Sequence, residues 1–225
     1  MADIAVDLGA SDILSLGGSF IAQNTTASVS QEHAEMLKAN GDFQKLSSVF
    51  NIETAINAVY KFSEDTGLGA ALPSVGSVSG SYLITSCRID TVNNDYPTIT
   101  LTAHNHSENL HTTGNEYAVP ADMQAIATGA YGAYDWAGLG GAAIACIRSS
   151  YELRCDHIEQ NGETGNHWVG TSVKGMEELS CEYSGNIANP PTISGWTVET
   201  SELADSNEEH DTSSVSAVRI VARTE

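Results

Sequence analysis

The residues whose types and spacing come closest to a metal site lie between positions 104 and 111. His104 and His106 are separated by one residue, and Glu108 and His111 follow. On a β-strand, residues two apart point to the same face, so the two imidazoles could hold one ion. The same residues also fit a solvent-facing strand that runs into a polar loop. We therefore predict surface histidines and no bound cofactor, and we keep a metal ion as the alternative.

Other candidate chemistry in the sequence is weaker. Cys155 and His157 have the same one-residue spacing, but Cys155 shares its face with Leu153 and is expected in the core. Residues 138–143 match a loose GxGxxA pattern without the strand-to-helix junction that nucleotide binding requires. The sequence contains no P-loop, HExxH or GxSxG motif, and we predict no catalytic residues. Three tryptophans could line a sugar-binding face, although core or interface packing is the preferred interpretation: Trp136, Trp168 and Trp196.

The net charge of the protein limits the kinds of molecule that it is expected to bind. The 225 residues include 29 Asp and Glu against 9 Lys and Arg, a difference that gives a formal net charge of −20 at pH 7. A protein that coats DNA or RNA needs a basic surface, because phosphate binding depends on cationic side chains. The same net negative charge argues against attraction to an anionic membrane surface. We therefore expect no membrane partner and no stable nucleic-acid complex.

The cysteines and the N-terminal residues indicate the cellular compartment in which the protein is expected to fold. Four cysteines lie far apart with no CxxC pair, so we expect reduced core residues, with one structural disulfide as the alternative: Cys87, Cys146, Cys155 and Cys181. The sequence contains no run of 18 apolar residues that would predict a transmembrane helix. Asp3 and Asp7 occupy positions where a secretory signal would carry Lys or Arg, so we expect no such signal.

The clearest structural pattern is a strict alternation from Phe50 to Phe62. Large or β-branched residues occupy nearly every second position, and the intervening residues are mostly polar or small. A period of two over thirteen residues predicts a long β-strand. A helix that uses Ile52, Ile56 and Tyr60 is the alternative, but it accounts for fewer positions.

The next segments predict a hairpin and further strands. Residues 81–106 form two alternating arms around a turn at Asn93, Asn94 and Asp95, and Pro97 opens the return arm. Later runs predict five more strands: Ile144–Ile158, His167–Val173, Met176–Tyr183, Gly195–Thr200 and Val215–Ala222. The acidic residues from Glu202 to Asp211 are expected to form a solvated loop.

Two short helices complete the prediction. Ser30 can cap a helix that stops at Gly41, and Pro120 suits the first turn of a helix that reaches about Thr128. Residues 129–143, rich in Gly and Ala, are expected to form a packed loop.

The predicted fold class is mainly β: an antiparallel β-sandwich or half-barrel with one or two short helices and long hairpin strands. We expect a single domain over residues 1–225, in which residues 1–27 can form an N-terminal arm.

Part of the chain resembles the tail tube proteins of tailed bacteriophages. The resemblance lies in residues 45–112, chiefly in LPSVG at 72–76 and DYPTITLTAHNH at 95–106, and more weakly in the C-terminal residues 194–225. It implies a virion structural protein, not an enzyme, that forms hexameric rings. It also implies that the rings stack into a hollow tube for DNA passage and ejection, that other phage tail proteins are partners, and that assembly takes place in the host cytoplasm.

Alternative functions fit the same composition. Another virion protein, such as a capsid decoration or tail terminator subunit, would differ only in how it assembles. A carbohydrate-binding β-sandwich would use the tryptophans and an ion held near His104, His106 and Glu108. A hydrolase with an unrecognised pair of carboxylates is the third alternative.

Overall fold

The computed structural model describes residues 4–9, 12–16, 20–37, 43–62, 71–106, 116–127, 131–161, 167–187, 191–204 and 211–221. Ten strands and one helix lie in these ranges. The strands are β1 (Ile4–Gly9), β2 (Phe20–Leu37), β3 (Phe43–Phe62), β4 (Val78–Ser79), β5 (Tyr82–Val92), β6 (Thr98–His106), β7 (Ala145–Asn161), β8 (His167–Ser184), β9 (Thr197–Ala204) and β10 (Thr212–Ile220). The helix is α1 (Ala121–Ala127).

The strands form one antiparallel sheet that does not close on itself. Its order is β1-β2-β3-β6-β5-β7-β8-β10-β9, and β4 adds a short pairing with β5. Every described pairing is antiparallel, as expected where hairpins connect sequential strands. The predicted fold class, an antiparallel β-sandwich or half-barrel with long hairpin strands and a short helix, is confirmed.

One face of the sheet, here called the covered face, carries the hydrophobic core. Alternate residues of β5 are buried, as the period of two requires. The central strands contribute fully buried side chains to this face: Ile56, Tyr60, Ile89, Leu101, Leu153 and Tyr183. The α1 side chains of Met123 and Ile126 pack over it together with loop residues. Burial of each large apolar side chain stabilises the fold by roughly 1.5–3 kcal/mol.

The long strand and the hairpin are confirmed where they were predicted. The alternation from Phe50 to Phe62 lies within β3, where Ile56, Ala58 and Tyr60 are buried. The hairpin consists of β5 and β6, and Asn94 in its turn adopts a left-handed φ of 67°. Asparagine tolerates this conformation better than most residues. The predicted helix after Pro120 is α1.

The predicted helix from Ser30 to Gly41 is wrong. Residues 30–37 continue β2, which pairs with β3 from Phe20 to Leu37, and residues 38–41 lie outside the described part. A helix of this length is marginal by itself, so its capping signals are weak against a long strand partner. The pairing contains several register shifts along the way, so β2 accommodates a sequence that is not strictly alternating.

Two strands predicted separately, His167–Val173 and Met176–Tyr183, are one continuous strand, β8. The break in the sequence pattern is a bulge. Lys174 has a φ of 52° and lies between the register pairs of Val173 and Gly175 with β7. An extra residue in one strand shifts its alternation by one position, and this shift makes one strand look like two in the sequence.

Two long hairpins extend past their neighbours at the same end of the sheet. β6 pairs with β3 only from Glu53 to Lys61, and β5 pairs with β7 only as far as Arg154. The register partner of Glu53 is His106 on β6, and the register partner of Arg154 is Ser86 on β5. Both partners lie toward the end of the β5–β6 hairpin that is opposite its turn. The distal parts of β2–β3 and β7–β8 therefore project beyond the sheet on one side.

The N-terminal residues take part in the sheet. β1 pairs with β2 from Ile4 to Gly9, and Phe20 and Ala22 at the start of β2 are buried. The single domain over residues 1–225 stays a prediction, as does the role of residues 1–27 as an arm.

Candidate functional site

Of the four residues in the predicted metal alternative, His104 is the one whose side chain lies in the described part of the chain. The His104 Nδ1 atom lies 2.5 Å from the Glu53 Oε1 atom, and Glu53 is the register partner of His106. Glu108 and His111 lie outside the described residues. Among the residues that the structure describes, no group of three His, Cys, Asp or Glu side chains could hold an ion. His104 therefore has a carboxylate as its partner across the β3–β6 pairing.

The other candidate motifs have structural explanations. Cys155 is buried, and burial raises the pKa of its thiol to about 11. In the GxGxxA segment, Gly138 N and Gly140 N donate hydrogen bonds to the Asp135 carboxylate at 2.9 and 2.6 Å. This segment leads into strand β7 and not into a helix, so it lacks the helix N-terminus on which dinucleotide phosphates bind.

The described tryptophans are packing residues. Trp136 and Trp196 both pack against the Tyr151 ring, with ring centroids 4.8 and 5.7 Å from it. Both are partly buried against the core, as the packing interpretation predicts. The Trp168 side chain lies outside the described part. The two described tryptophans therefore offer no exposed aromatic face for a sugar ring.

The face opposite the core, here called the open face, is polar and partly exposed. Strand pairing sets its side chains in rows that cross the sheet. One row contains Arg88, Glu152 and Glu178 on β5, β7 and β8, and the adjacent row contains Asp90, Ser150 and Ser180 on the same strands. Ser216 and Thr200 extend the second row, and their hydroxyl oxygens lie 2.6 Å apart.

Two arginines of the open face, Arg88 and Arg154, are paired with carboxylates. Arg88 donates from Nε and Nη2 to the Asp90 Oδ1 atom, at 3.0 and 2.7 Å, and Arg154 donates from Nε to the Glu178 Oε1 atom at 3.0 Å. The hydrogen bond with Asp90 raises the pKa of Arg88, and the hydrogen bond with Glu178 raises the pKa of Arg154. These guanidinium groups therefore stay charged, with part of their donor capacity already used.

Charge on the centre of the open face is close to balanced. The described open-face residues of β5, β7 and β8 include three arginines and five carboxylates: Arg88, Arg148, Arg154, Asp90, Glu152, Asp156, Glu178 and Glu182. The whole chain has a net charge of −20, so most of its acidic excess lies elsewhere. Two shallow depressions on this face, of about 220 and 270 Å³, share Arg88, Ser150 and Ser180 in their linings.

The two outer strands of the sheet are the second feature with functional potential. β1 pairs only with β2, and β9 pairs only with β10, within the described part of the chain. An outer strand presents backbone N–H and C=O groups that another chain can bind. β9 is mostly exposed, and its register shifts once, next to Glu199. From Thr200 to Ala204 its pairing with β10 is regular, so this stretch is the extended part of the edge.

Sequence reasoning missed the pairing of charges across strands. Alternation indicated which side chains share a face, but not that Arg154 would meet Glu178 or that Glu53 would meet His104. Such pairs depend on the register between strands that are distant in sequence. Opposite charges spaced at two-residue intervals, as in Arg88 and Asp90, were the one local signal available.

The helix found in the described residues is too short to cross a membrane. Comparisons with protein-family models, with curated proteins and with solved structures found no match to this chain. The fold by itself places the protein in the class of open antiparallel β-sheets, with one face covered by the hydrophobic core and the other face polar.

Proposed function

We propose that this protein is a virion structural subunit that assembles with copies of itself into stacked rings, forming the tail tube of a tailed bacteriophage. The observation that carries the proposal is the open sheet, whose two outer strands, β1 and β9, each have one strand partner in the described part of the chain. The resemblance of residues 45–112 to tail tube proteins supports the same assembly.

Open edges at both ends of one sheet allow ring formation. When β9 of one copy adds to β1 of the next, the interface joins two different surfaces, and a rotation that closes produces a ring. Backbone hydrogen bonds supply part of the binding energy, as in other complexes that form by strand addition. We propose six copies per ring, following the resemblance.

The projecting hairpins favour stacking of these rings. The distal parts of β2–β3 and β7–β8 leave the sheet at the same end, so the subunit has two different ends along its strand direction. Rings with different ends stack head to tail, and such heterologous contacts continue without limit. Other tail proteins would then bind the two ends of the finished tube.

The open face suits the inner wall of a channel for DNA. Arg88 and Arg154 on this face are paired with carboxylates, so they hold phosphate less strongly than free guanidinium groups would. The slight excess of carboxylates disfavours adhesion of the DNA backbone. We therefore propose transient, non-specific passage of DNA and no stable complex, no catalytic role, and a location in the virion tail after assembly in the host cytoplasm.

Electron microscopy of the concentrated, purified protein tests this function. We expect hollow filaments built from stacked rings. Isolated rings that never stack would favour a tail terminator or decoration subunit, and particles that stay monomeric at all concentrations would overturn self-assembly.

A matched pair of variants links assembly to the edge strand. Leu203 on β9 is 46% exposed, and Leu203→Lys places a charge on the edge, where lysine commonly prevents strand addition. Ala125→Lys makes the same change of charge on the exposed side of α1. We expect Leu203→Lys to reduce filaments strongly and Ala125→Lys to leave them unchanged, with equal thermal stability. Equal assembly by both variants would contradict a role for the β9 edge.

A further inference from the structure

Two of the four cysteines lie together beneath the loop at residues 131–143. Cys146 at the start of β7 is the register partner of Tyr183, and Cys181 lies two residues before Tyr183 on β8. Residues two apart on a strand share a face, so both thiols lie on the side that the loop covers. The Cys146 and Cys181 side chains form a hydrogen bond with each other.

The surroundings hold the two sulfur atoms in place. The Cys146 thiol also lies within hydrogen-bond range of two backbone carbonyls, of Tyr134 at 3.6 Å and of Arg148 at 3.5 Å. The backbone amide of Ala137 donates to the Cys181 sulfur. The β7–β8 register shifts between Cys146 and Arg148, and such a bulge increases the local twist of the strands.

The two thiols differ in exposure, and this difference gives them different roles. Cys181 is 1% exposed, whereas Cys146 is only half-buried. The hydrogen bond from Cys146 lowers the pKa of the Cys181 thiol, because it stabilises the thiolate, and it raises the pKa of Cys146. The pair can therefore release one proton more readily than two isolated buried thiols, and the sulfur that solvent reaches is Cys146.

The other two cysteines are inert by comparison. Cys87 is fully buried, and burial raises the pKa of its thiol to about 12. Cys155 is 9% exposed, and burial likewise raises its pKa. Reactivity toward disulfides follows the thiolate and its access, so neither of these residues competes with the Cys146–Cys181 pair.

We propose that Cys146 and Cys181 are a reversible modification site at which a small aliphatic disulfide, such as oxidised glutathione, converts the two thiols to a cross-strand disulfide. Cys146 passes its proton to the Cys181 thiolate as its sulfur attacks the small disulfide, which leaves a mixed disulfide on Cys146 and releases a small thiolate. That thiolate takes the proton from Cys181 and leaves as a thiol. The Cys181 thiolate then attacks the Cys146 sulfur and releases the second thiol. Two protein thiols are oxidised and one small disulfide is reduced to two thiols, with both protons carried by the products.

The new bond would pin β7 to β8 under the loop. Diagonal neighbours on paired strands have Cα atoms about 7–8 Å apart, whereas a relaxed disulfide prefers about 4.4–6.8 Å. Closing it requires a small shift, which the bulge at residue 147 can supply. Strained disulfides are reduced more easily than relaxed ones, so the bond should open again with a monothiol at millimolar concentration. The proposal is independent of the assembly proposed above.

Intact-mass and peptide analysis after exposure to oxidised glutathione test the proposal. The folded protein is incubated with oxidised glutathione, the remaining thiols are alkylated in denaturant, and disulfide-linked peptides are sequenced. We expect loss of two alkylatable thiols, one linked peptide pair that joins residues 146 and 181, and reversal by reduced glutathione.

Matched variants make the assignment specific. Cys87→Ser should still lose two thiols, and Cys146→Ser should lose none to an internal disulfide. A protein that keeps all four thiols, stops at a mixed disulfide on Cys146, or links Cys87 to Cys155 would overturn the proposal. Because peptide sequencing of the unaltered protein gives the linkage directly, the result stands even if a variant folds poorly.

Discussion

Arg219 near the end of β10 contacts three side chains, those of Glu177, Tyr151 and Trp196, and its substitution gives a quantitative prediction. Its Nε atom donates to the Glu177 carboxylate, its NH2 group lies 3.2 Å from the Tyr151 hydroxyl, and its guanidinium carbon lies 4.4 Å from the centre of the Trp196 ring. The Glu177 side chain is 4% exposed, whereas the Arg219 side chain is 40% exposed. Of the two side chains in this ion pair, only the Glu177 carboxylate is therefore buried.

Arg219→Met should destabilise the protein by about 3 kcal/mol. Removing one partner of a buried ion pair costs about 3–5 kcal/mol, because the remaining charge is left without compensation. The exposure of Arg219 and the remaining Tyr151 hydroxyl place this cost below that range, at about 2–2.5 kcal/mol, and the lost cation–π contact adds about 0.5–1 kcal/mol. Glu177→Leu combined with Arg219→Met removes both charges and should recover about 2 kcal/mol of the loss.

Urea unfolding followed by circular dichroism measures these differences. With a slope of about 2–3 kcal/mol per molar urea, Arg219→Met should lower the unfolding midpoint by roughly 1 M. The double variant should lie closer to the unaltered protein than the single variant does. An Arg219→Met variant within about 0.5 kcal/mol of the unaltered protein, or a double variant less stable than Arg219→Met alone, would refute this account of the buried carboxylate.

The remaining predictions concern the room for a side chain at Gly175, the pKa of Asp95 and the resistance of Cys87 to alkylation. Gly175→Ala should cost about 1–3 kcal/mol in urea unfolding, because its new Cβ atom would lie 2.4 Å from the Tyr117 ring. In an NMR titration, the Asp95 carboxylate should titrate below its ordinary pKa, because the Lys61 ammonium bonds it at 2.9 Å. Its contribution to stability is therefore present above the unfolded pKa and lost as the pH falls through the folded pKa. Cys87, with a pKa of about 12, should resist alkylation at pH 8 until the protein is unfolded.

Each of these predictions has a control. Gly141→Ala should be nearly neutral, since no atom lies within 4 Å of the position that its new methyl group would take. Lys61→Met should return the Asp95 pKa toward its ordinary value, and an unchanged titration would contradict the ion pair. Cys146 should be alkylated before Cys87 in the folded protein, and equal rates would contradict the burial of Cys87.

Local alternation was sufficient to predict the central strands. In β3, β5 and β6 the apolar residues recur at every second position, and one face of each strand is buried as that pattern requires. The turn residues Asn93 and Asn94 fixed the hairpin position, because asparagine suits a left-handed turn conformation.

Pairing between strands that are distant in sequence determined the features that local sequence patterns did not predict. Residues 30–37 have helical signals, yet they pair with β3, a partner that local propensity does not include. The bulge at Lys174 shifts the alternation of β8 and hides its continuity. The candidate site has the same limit, since the rows of the open face and the Cys146–Cys181 contact both arise from register between strands.

An engineered crosslink between the outer strands tests the central claim most directly. Ala5→Cys on β1 and Glu202→Cys on β9 place thiols at the two edges that we propose to join in neighbouring copies, and their register partners, Ser28 and Ser214, lie on the same face of the sheet. Under mild oxidation, the assembled double variant should give a ladder of dimers, trimers and higher multimers on a non-reducing gel, whereas each single variant should give none beyond a dimer. A double variant that assembles into filaments without this ladder, or that stays monomeric, would contradict assembly through the sheet edges.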